Sequence, residues 1–308
     1  MGASSNEGYG AALHAARSAA GAQHYPQGCL YVLATPIGNL ADITLRALHL
    51  LQLADTVACE DTRHTQALLR TYGIDKPATQ LLAVHQHNEM QAAQEVGARL
   101  RQGQRVAYVS DAGTPGISDP GARLVAHVRA DGVRVVPLPG PSSVTVLLSA
   151  AGIDDSAASG FVFAGFLPVK TAQRAAALQA LQAQPRAVVL LEAPHRMAAL
   201  AQALSAWGTR AVTIGRELTK QFEEIHTLGA AELSAWLAAD TNRLRGEFTL
   251  VLHPQVHTQT DTPDTRILGL LMAHVPLKTA VQLAAQISGQ SKNTLYAQAL
   301  ALQNDTPR

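Results

Sequence analysis

From Cys29 onward, short apolar runs alternate with stretches of helical period. Apolar runs without internal alternation are what strands covered on both faces look like, and helices between them predict a parallel α/β sheet. Strands are expected near 29–35 (CLYVLAT), 56–60 (TVACE), 80–85 (QLLAVH), 105–111 (RVAYVSD) and 133–138 (VRVVPL). Between the first two, Ile43 to Leu53 sets Leu45, Leu48, Leu51 and Leu53 close to one helix face, with Asp42 as the capping residue.

The pattern is interrupted near Gly152 by the small and acidic loop AGIDDSAASG, then resumes. Strands are expected at 161–166, 187–193, 211–218, 222–229 and 247–254, with helices from Ala172 to Leu181 and His195 to Trp207. The third and fourth of these strands leave no room for a helix between them, so they form an antiparallel hairpin in a mixed sheet. The fold class expected is α/β, with two domains at 29–151 and 152–254, a linker at 255–263 and a helical region at 264–308. In the last, LKTAVQLAAQISGQSKNTLYAQAL reads as helix, glycine turn and helix. Residues 1–28, rich in Ala, Gly, Ser and Gln, read as a flexible extension without the basic and apolar segments of a signal peptide.

Composition narrows the function little. With 308 residues, 47% hydrophobic and 15% charged, the chain suits a folded protein with ample core. Its formal net charge of +1 supplies no global field for nucleic acid or for a cationic partner. Cys29 and Cys59 stand in apolar runs without metal-ligand spacing and read as buried thiols in a reducing compartment. No apolar run reaches the roughly 20 residues of a membrane span, and a cytoplasmic protein is expected.

Three loops carry the candidate chemistry, each just beyond the C-terminal end of an expected strand, where open α/β sheets bind ligands. They are ATPIGNL after the first strand, SDAGTPGISDPG at 110–121, and LPGPSSV at 138–144, where Ser142 and Ser143 cap the next helix. In the second, Asp111 ends a strand, Ala112, Gly113 and Thr114 expose backbone groups, and Asp119 with Pro120 opens a helix. Neither the dinucleotide fingerprint nor the P-loop is present, and prolines stand where a pyrophosphate needs amide donors. The loops therefore suit a small nucleoside-like cofactor held by backbone atoms.

Taken in order, ATPIGNLADITLRAL, CEDTRHT, HQHNE, SDAGTPGISDPG, PGPSSV, FAGFLP, LLEAPHR and RELTKQFEE resemble the small-subunit ribosomal RNA ribose 2'-O-methyltransferase I family, of the tetrapyrrole methylase fold. The resemblance spans roughly residues 29–254. It implies S-adenosylmethionine as cofactor in a cleft between two α/β domains and a homodimer. It also implies 16S ribosomal RNA in the small ribosomal subunit as substrate, methylated on the ribose of a decoding-region cytidine. The cofactor contacts it implies are Pro36, Ala112, Gly113, Thr114 and Ile117, then Ser142 and Ser143, with Glu192 and Phe248 as further lining residues. Glu192 has a plainer alternative, a buried carboxylate paired with His195 or Arg196.

Transfer of a methyl group to a hydroxyl requires alignment and a proton acceptor. Candidates are Glu60, Asp61, Arg63 and His64 in CEDTRHT, His85 and His87 on one strand face before Glu89, and Glu217, Lys220, Glu223 and Glu224 in RELTKQFEE. A lysine base would need its pKa lowered by burial. The plain alternatives are that Asp61 caps the next helix and that Glu60 pairs with Arg63. His85, His87 and Glu89 also mimic a metal triad, but the chemistry requires no metal. RNA contacts are expected from Lys170, Arg174, Arg196 and Arg216, the first two at i,i+4, with Lys278 and Lys292 as the basic residues of the tail. Two rivals are a methyltransferase acting on a small ring, which predicts a closed apolar cleft, and a non-catalytic regulator binding nucleic acid through the tail.

Overall fold

The computed structural model describes residues 7–85, 88–118, 121–154, 159–255 and 265–304. The chain divides into two units, Met1–Gln255 and Val256–Arg308. The first opens with α1 (Glu7–Ala20), β1 (Leu30–Leu33), α2 (Leu45–Leu53), β2 (Thr56–Cys59), α3 (Thr62–Thr71) and β3 (Leu81–Ala83). It continues with α4 (Glu89–Arg101), β4 (Val106–Val109), α5 (Gly121–Ala130), β5 (Val135–Leu138) and α6 (Ser143–Ala150). Then come β6 (Phe161–Phe166), α7 (Thr171–Gln182), β7 (Ala187–Glu192), α8 (Pro194–Leu204), β8 (Ala211–Arg216), β9 (Glu224–Gly229), α9 (Leu233–Ala238) and β10 (Phe248–Leu252).

The first sheet is all parallel in the order β3-β2-β4-β1-β5. Alternate residues along its strands enter two different cores. Tyr31, Leu33, Val57 and Val109 join a cluster with α2 and α3, whereas Leu30, Ala58, Val106 and Tyr108 join one with α4 and α5. Both faces are covered, which is why VAYV carries no polar alternation. The second sheet, β6-β7-β10-β8-β9, is mixed: β6 runs parallel to β7, and every other pair is antiparallel, including the expected hairpin β8–β9. The two sheets share a core in which Val144 and Leu147 of α6 pack with Val189, Leu218 and Val251.

Strand order places the loops. Because β1 lies between β4 and β5, the loops that follow these three strands emerge side by side at one sheet edge.

Three expectations about the N-terminal part need correction. The extension read as flexible over 1–28 forms α1 from Glu7, with Ala16 fully buried and Tyr25 nearly so. The Tyr9 ring meets that of Tyr72 edge-on at 5.1 Å, and Tyr72 donates its hydroxyl to the Leu40 carbonyl at 2.6 Å. Thr44, not Asp42, caps α2, its hydroxyl accepting from the Ala47 amide. With α1 packed against it, α2 buries Ala47, Leu48, Leu50 and Leu51, while Leu45 is left exposed. The short amphipathic segment within 7–20 carries many alanines, so its apolar face was hard to see. Cys29 and Cys59 are buried free thiols, and burial pushes the Cys59 thiol up to about 11.

The second unit comprises α10 (Thr265–Met272), α11 (Leu277–Ser288) and α12 (Lys292–Asn304) around Leu268, Val281, Ala284, Leu295 and Ala299. Gly289, at φ 71°, ends α11 in the left-handed region that few other residues tolerate, making the expected turn. Lys278 and Lys292 are exposed. Among the described residues no helix is long and apolar enough to cross a membrane.

If α1 is part of the core, Ala16→Asp destabilises the protein by roughly 2–4 kcal/mol, because a charge enters a packed site without a partner. Urea denaturation measures this, and an unchanged midpoint would mean that the helix only rests on the surface.

Candidate active site

The three loops are tied together by backbone before any ligand is considered. Thr35 and Gly113 exchange both amide bonds, at 2.9 and 3.0 Å. The Thr35 hydroxyl donates to the Ser110 carbonyl at 3.0 Å, and the Thr114 hydroxyl donates to the Pro141 carbonyl at 2.9 Å. Gly113 lies at φ 81°, and a Cβ there would stand 3.3 Å from Ile37 Cγ2. Glycine is required by both conformation and space.

Above the loops opens a cavity of about 410 Å³. One side consists of Ala112, Gly113, Thr114 and Ile117, together with Ser142 and Ser143. The other side comes from the second sheet: Glu192 ends β7, Phe248 begins β10, and Leu218 follows β8. Of the cofactor contacts implied by resemblance, only Pro36 is absent from the lining; it is buried, and its neighbour Ile37 lines the cavity instead. Ser142 is the N-cap of α6, yet its hydroxyl makes no capping bond, contrary to expectation. Ser143 is the first helical residue.

Glu192 makes the plainer pairing, with Arg196, through one oxygen. Its side chain is fully buried; Oε1 accepts from Arg196 Nε and from the Ala193 amide, each at 3.0 Å. Oε2 has no partner among the described residues. A buried carboxylate oxygen without a donor is costly, and a hydroxyl or ammonium group of a ligand in this cavity would satisfy it.

The catalytic candidates separate. Glu60 lines the cavity. Asp61 does not; it caps α3, accepting from the amides of Arg63 and His64, and it pairs with Arg63 at 3.1 Å in place of the expected Glu60–Arg63 pair. The Arg63 side chain and the capped amides hold the Asp61 carboxyl down at about 2, which makes it a weak proton acceptor at neutral pH. Arg63 itself is 91% exposed. His85 falls beyond the end of β3 rather than on a strand face, and it does not line the cavity. His87 lies outside the described residues. Glu89 turns to α5, where its carboxylate accepts from the Arg123 amide at 3.1 Å.

Lys220 is not a lysine poised to accept a proton. Burial pulls its pKa down, but bonds from its ammonium to Glu217 at 2.8 Å and Glu247 at 3.0 Å prevail and raise it. The expectation of a base is thus reversed into a fixed positive charge. Glu217 shows the mirror image, burial raising its pKa and the Lys220 ammonium outweighing this to lower it. Glu247 lines the cavity and therefore brings the ion cluster to its rim.

Among the described residues, the non-glycine positions with positive φ are Ser118, Glu217 and Thr219, at 67°, 51° and 67°. Ser118 lines the cavity, and the other two flank Leu218, which also lines it. Each costs about 1–3 kcal/mol and persists only where neighbours over-determine it.

Two of the four expected RNA-contacting cations have other employment. Arg196 donates to the Leu167 carbonyl at 2.6 Å as well as to Glu192. Arg216 is 8% exposed and donates to the carbonyls of Arg245 and Phe222. Lys170 is exposed at the start of α7, and Arg174 Nε and Nη2 are buried without a partner among the described residues. Sequence reasoning missed Ile37, Ser110, Ser118, Leu218 and Glu247 as lining residues. Each sits within one or two positions of a residue that was selected, Glu247 directly before Phe248.

Comparison with known proteins agrees with this geometry. Residues 29–234 match the family of tetrapyrrole (corrin/porphyrin) methylases, and residues 259–303 match a domain described as the RsmI C-terminal HTH domain. The chain is 47% identical over 281 residues to ribosomal RNA small subunit methyltransferase I of Escherichia coli O157:H7, covering 90% of this chain and 96% of that one. It is 46% identical over 282 residues to the protein of the same name from Pseudomonas aeruginosa, covering 90% and 98%. Among solved structures, uroporphyrin-III C-methyltransferase from Thermus thermophilus matches 74% of this chain and 94% of its own, with a TM-score of 0.51 at 20% identity. Cobalt precorrin-4 methyltransferase matches 74% and 98%, with a TM-score of 0.52 at 19% identity. At these identities the structures speak for the fold alone.

The ion cluster predicts a pH-dependent stability. Lys220→Met lowers stability by about 1 kcal/mol at neutral pH, since the pair is partly exposed. Glu217, with its folded pKa lowered, contributes above its ordinary value of 4.5 and loses the contribution as pH falls through the folded value. Lys220, with its folded pKa raised, contributes below 10.5 and loses the contribution as pH rises through the folded value. The stability gap between variant and wild type should therefore be widest from pH 5 to pH 10; a gap independent of pH would remove the ion cluster as its cause.

Proposed function

The chain belongs to the ribosomal RNA small subunit methyltransferase I family of tetrapyrrole-type methylases, and from that premise we propose that its acceptor is the ribose 2'-hydroxyl of a decoding-region cytidine. It is an S-adenosylmethionine-dependent methyltransferase of small-subunit ribosomal RNA. The observation that carries the finer reading is the carboxylate lining of the cavity: Glu60, Asp111, Glu192 and Glu247. A hydroxyl nucleophile must lose a proton, which this lining serves better than the closed apolar cleft expected for a ring methylase.

The residues present fit the cofactor. Glu192 Oε2 lacks a donor among the described residues that a ligand hydroxyl or ammonium would supply, and Ile117 and Phe248 give apolar walls. When bound, S-adenosylmethionine supplies an electrophilic methyl group on a positively charged sulfur. Glu60 is the carboxylate we assign to take the proton from the acceptor hydroxyl. Lys220, kept protonated by Glu217 and Glu247, holds the turn after β8 to the start of β10 at the rim of the cavity. Asp61 and Arg63 hold the start of α3 and so the position of Glu60 beside it.

RNA contact falls to Lys170, exposed at the start of α7, and to Arg174 one turn further along the same helix. We read the protein as a cytoplasmic homodimer. The apolar groove between β5 and α5, with Val125, Val135 and Pro137 in its lining and Arg129 and Arg134 beside them, supports a contact between copies at that sheet edge.

The test is transfer of labelled methyl from S-adenosylmethionine to small ribosomal subunits purified from cells lacking this protein, with the product nucleoside identified by mass spectrometry. One ribose-methylated cytidine is expected, and methyl on a base would overturn the reading. In the same assay Glu60→Gln should lower turnover about a hundredfold or more, while calorimetry finds cofactor affinity essentially unchanged; wild-type turnover would pass the role to another carboxylate. Arg174→Ala should flatten the dependence of log affinity for the subunit on log salt by about one. An unaltered slope would remove the phosphate contact.

A further inference from the structure

The turn between β8 and β9 carries a feature that the chemistry above does not use. The Phe222 side chain is presented to solvent, 70% exposed, in the segment Thr219–Glu224 whose other members are all polar or charged. Its backbone is nevertheless tightly held. The Phe222 carbonyl accepts from Arg216 Nη1, the Thr219 amide donates to the Glu223 carboxylate, and the Lys220 and Glu223 amides close successive turns. Thr219 reaches across to the first sheet's loop, its hydroxyl accepting from the Asn39 amide at 3.1 Å. At Gly38 a Cβ would run into the Lys220 side chain, so the two loops touch. The backbone at Glu217 and Thr219 is strained to achieve this.

A rigid, strained turn that spends its bonds on exposing one aromatic ring to water calls for a ligand that covers the ring. The turn springs from Arg216, paired in register with Phe248, and passes through Leu218; both Phe248 and Leu218 line the cavity. Within Thr219–Glu224 the ring has no apolar companion, whereas a protein contact is built on contiguous apolar surface. One ring is enough, however, to stack an unpaired base.

We propose that Phe222 is a stacking platform for an unpaired base of the RNA strand next to the acceptor nucleotide, and that the strained turn exists to present it. This rests on the ribosomal RNA reading of the site, and its test is arranged so that the two can fail separately.

Phe222→Ala, Phe222→Leu and Phe222→Tyr would be compared with wild type in methyl transfer to unmethylated small subunits, alongside cofactor affinity by calorimetry and mass by light scattering. Loss of one stacked base corresponds to about a five- to hundredfold fall in kcat/KM for the subunit. The Ala and Leu variants should both show it, with cofactor affinity and mass unchanged, while the Tyr variant retains near wild-type transfer. Leu keeps the apolar bulk but has no π face, so a Leu variant as active as wild type would overturn stacking. A fall in mass in the Ala variant would overturn it too, by making Phe222 a contact between copies. A wild-type protein that binds cofactor but transfers nothing to the subunit would instead sink the functional reading on which this proposal rests.

Discussion

Everything at this site depends on a pair of backbone hydrogen bonds between Thr35 and Gly113. They join the loop after β1 to the loop after β4, and the Thr114 bond to the Pro141 carbonyl adds the loop after β5. Loops beyond strand ends are ordinarily the mobile part of an α/β fold, each free to drift with its own turn. Here they form a small extension of the sheet itself. The floor of the cavity is therefore as rigid as the strands below it, which is what alignment of a nucleophile with a methyl group demands.

The second sheet contributes a different kind of wall. Its strand ends bring carboxylates and apolar groups to the cavity, and its position is fixed by the shared core of α6, Leu218 and the inner face of β7 and β10. Floor and wall also meet through Asn39 and Thr219, close to the strained turn. At that junction the Lys220 ammonium lies between the carboxylates of Glu217 and Glu247, one positive charge held by two negative ones.

Much of this was legible in the sequence. Short apolar runs gave the strands because burial on both faces removes polar alternation, and the glycines and prolines of three loops gave the floor because those conformations admit few other residues. Glu60 and Glu192 were in view for the same reason: each closes an apolar run and so sits at a strand end. What stayed hidden depended on partners far along the chain. Nothing around Lys220 foretells Glu247, 27 residues away, so the direction of its pKa shift could not be read. Arg196 and Arg216 looked like surface cations until their carbonyl acceptors were known. The N-terminal helix was missed because an alanine-rich face shows little hydrophobic contrast, although Ala16 is fully buried.

The glycine that opens α5 sets a limit from behind the site. A Cβ at Gly121 would penetrate the ring of Tyr108, which fills the core beneath β4. The helix start consequently rests directly on that ring. Position 121 thus admits no side chain unless Tyr108 moves, and a shift of that ring would disturb the core it shares with Leu124 and Val128 of α5.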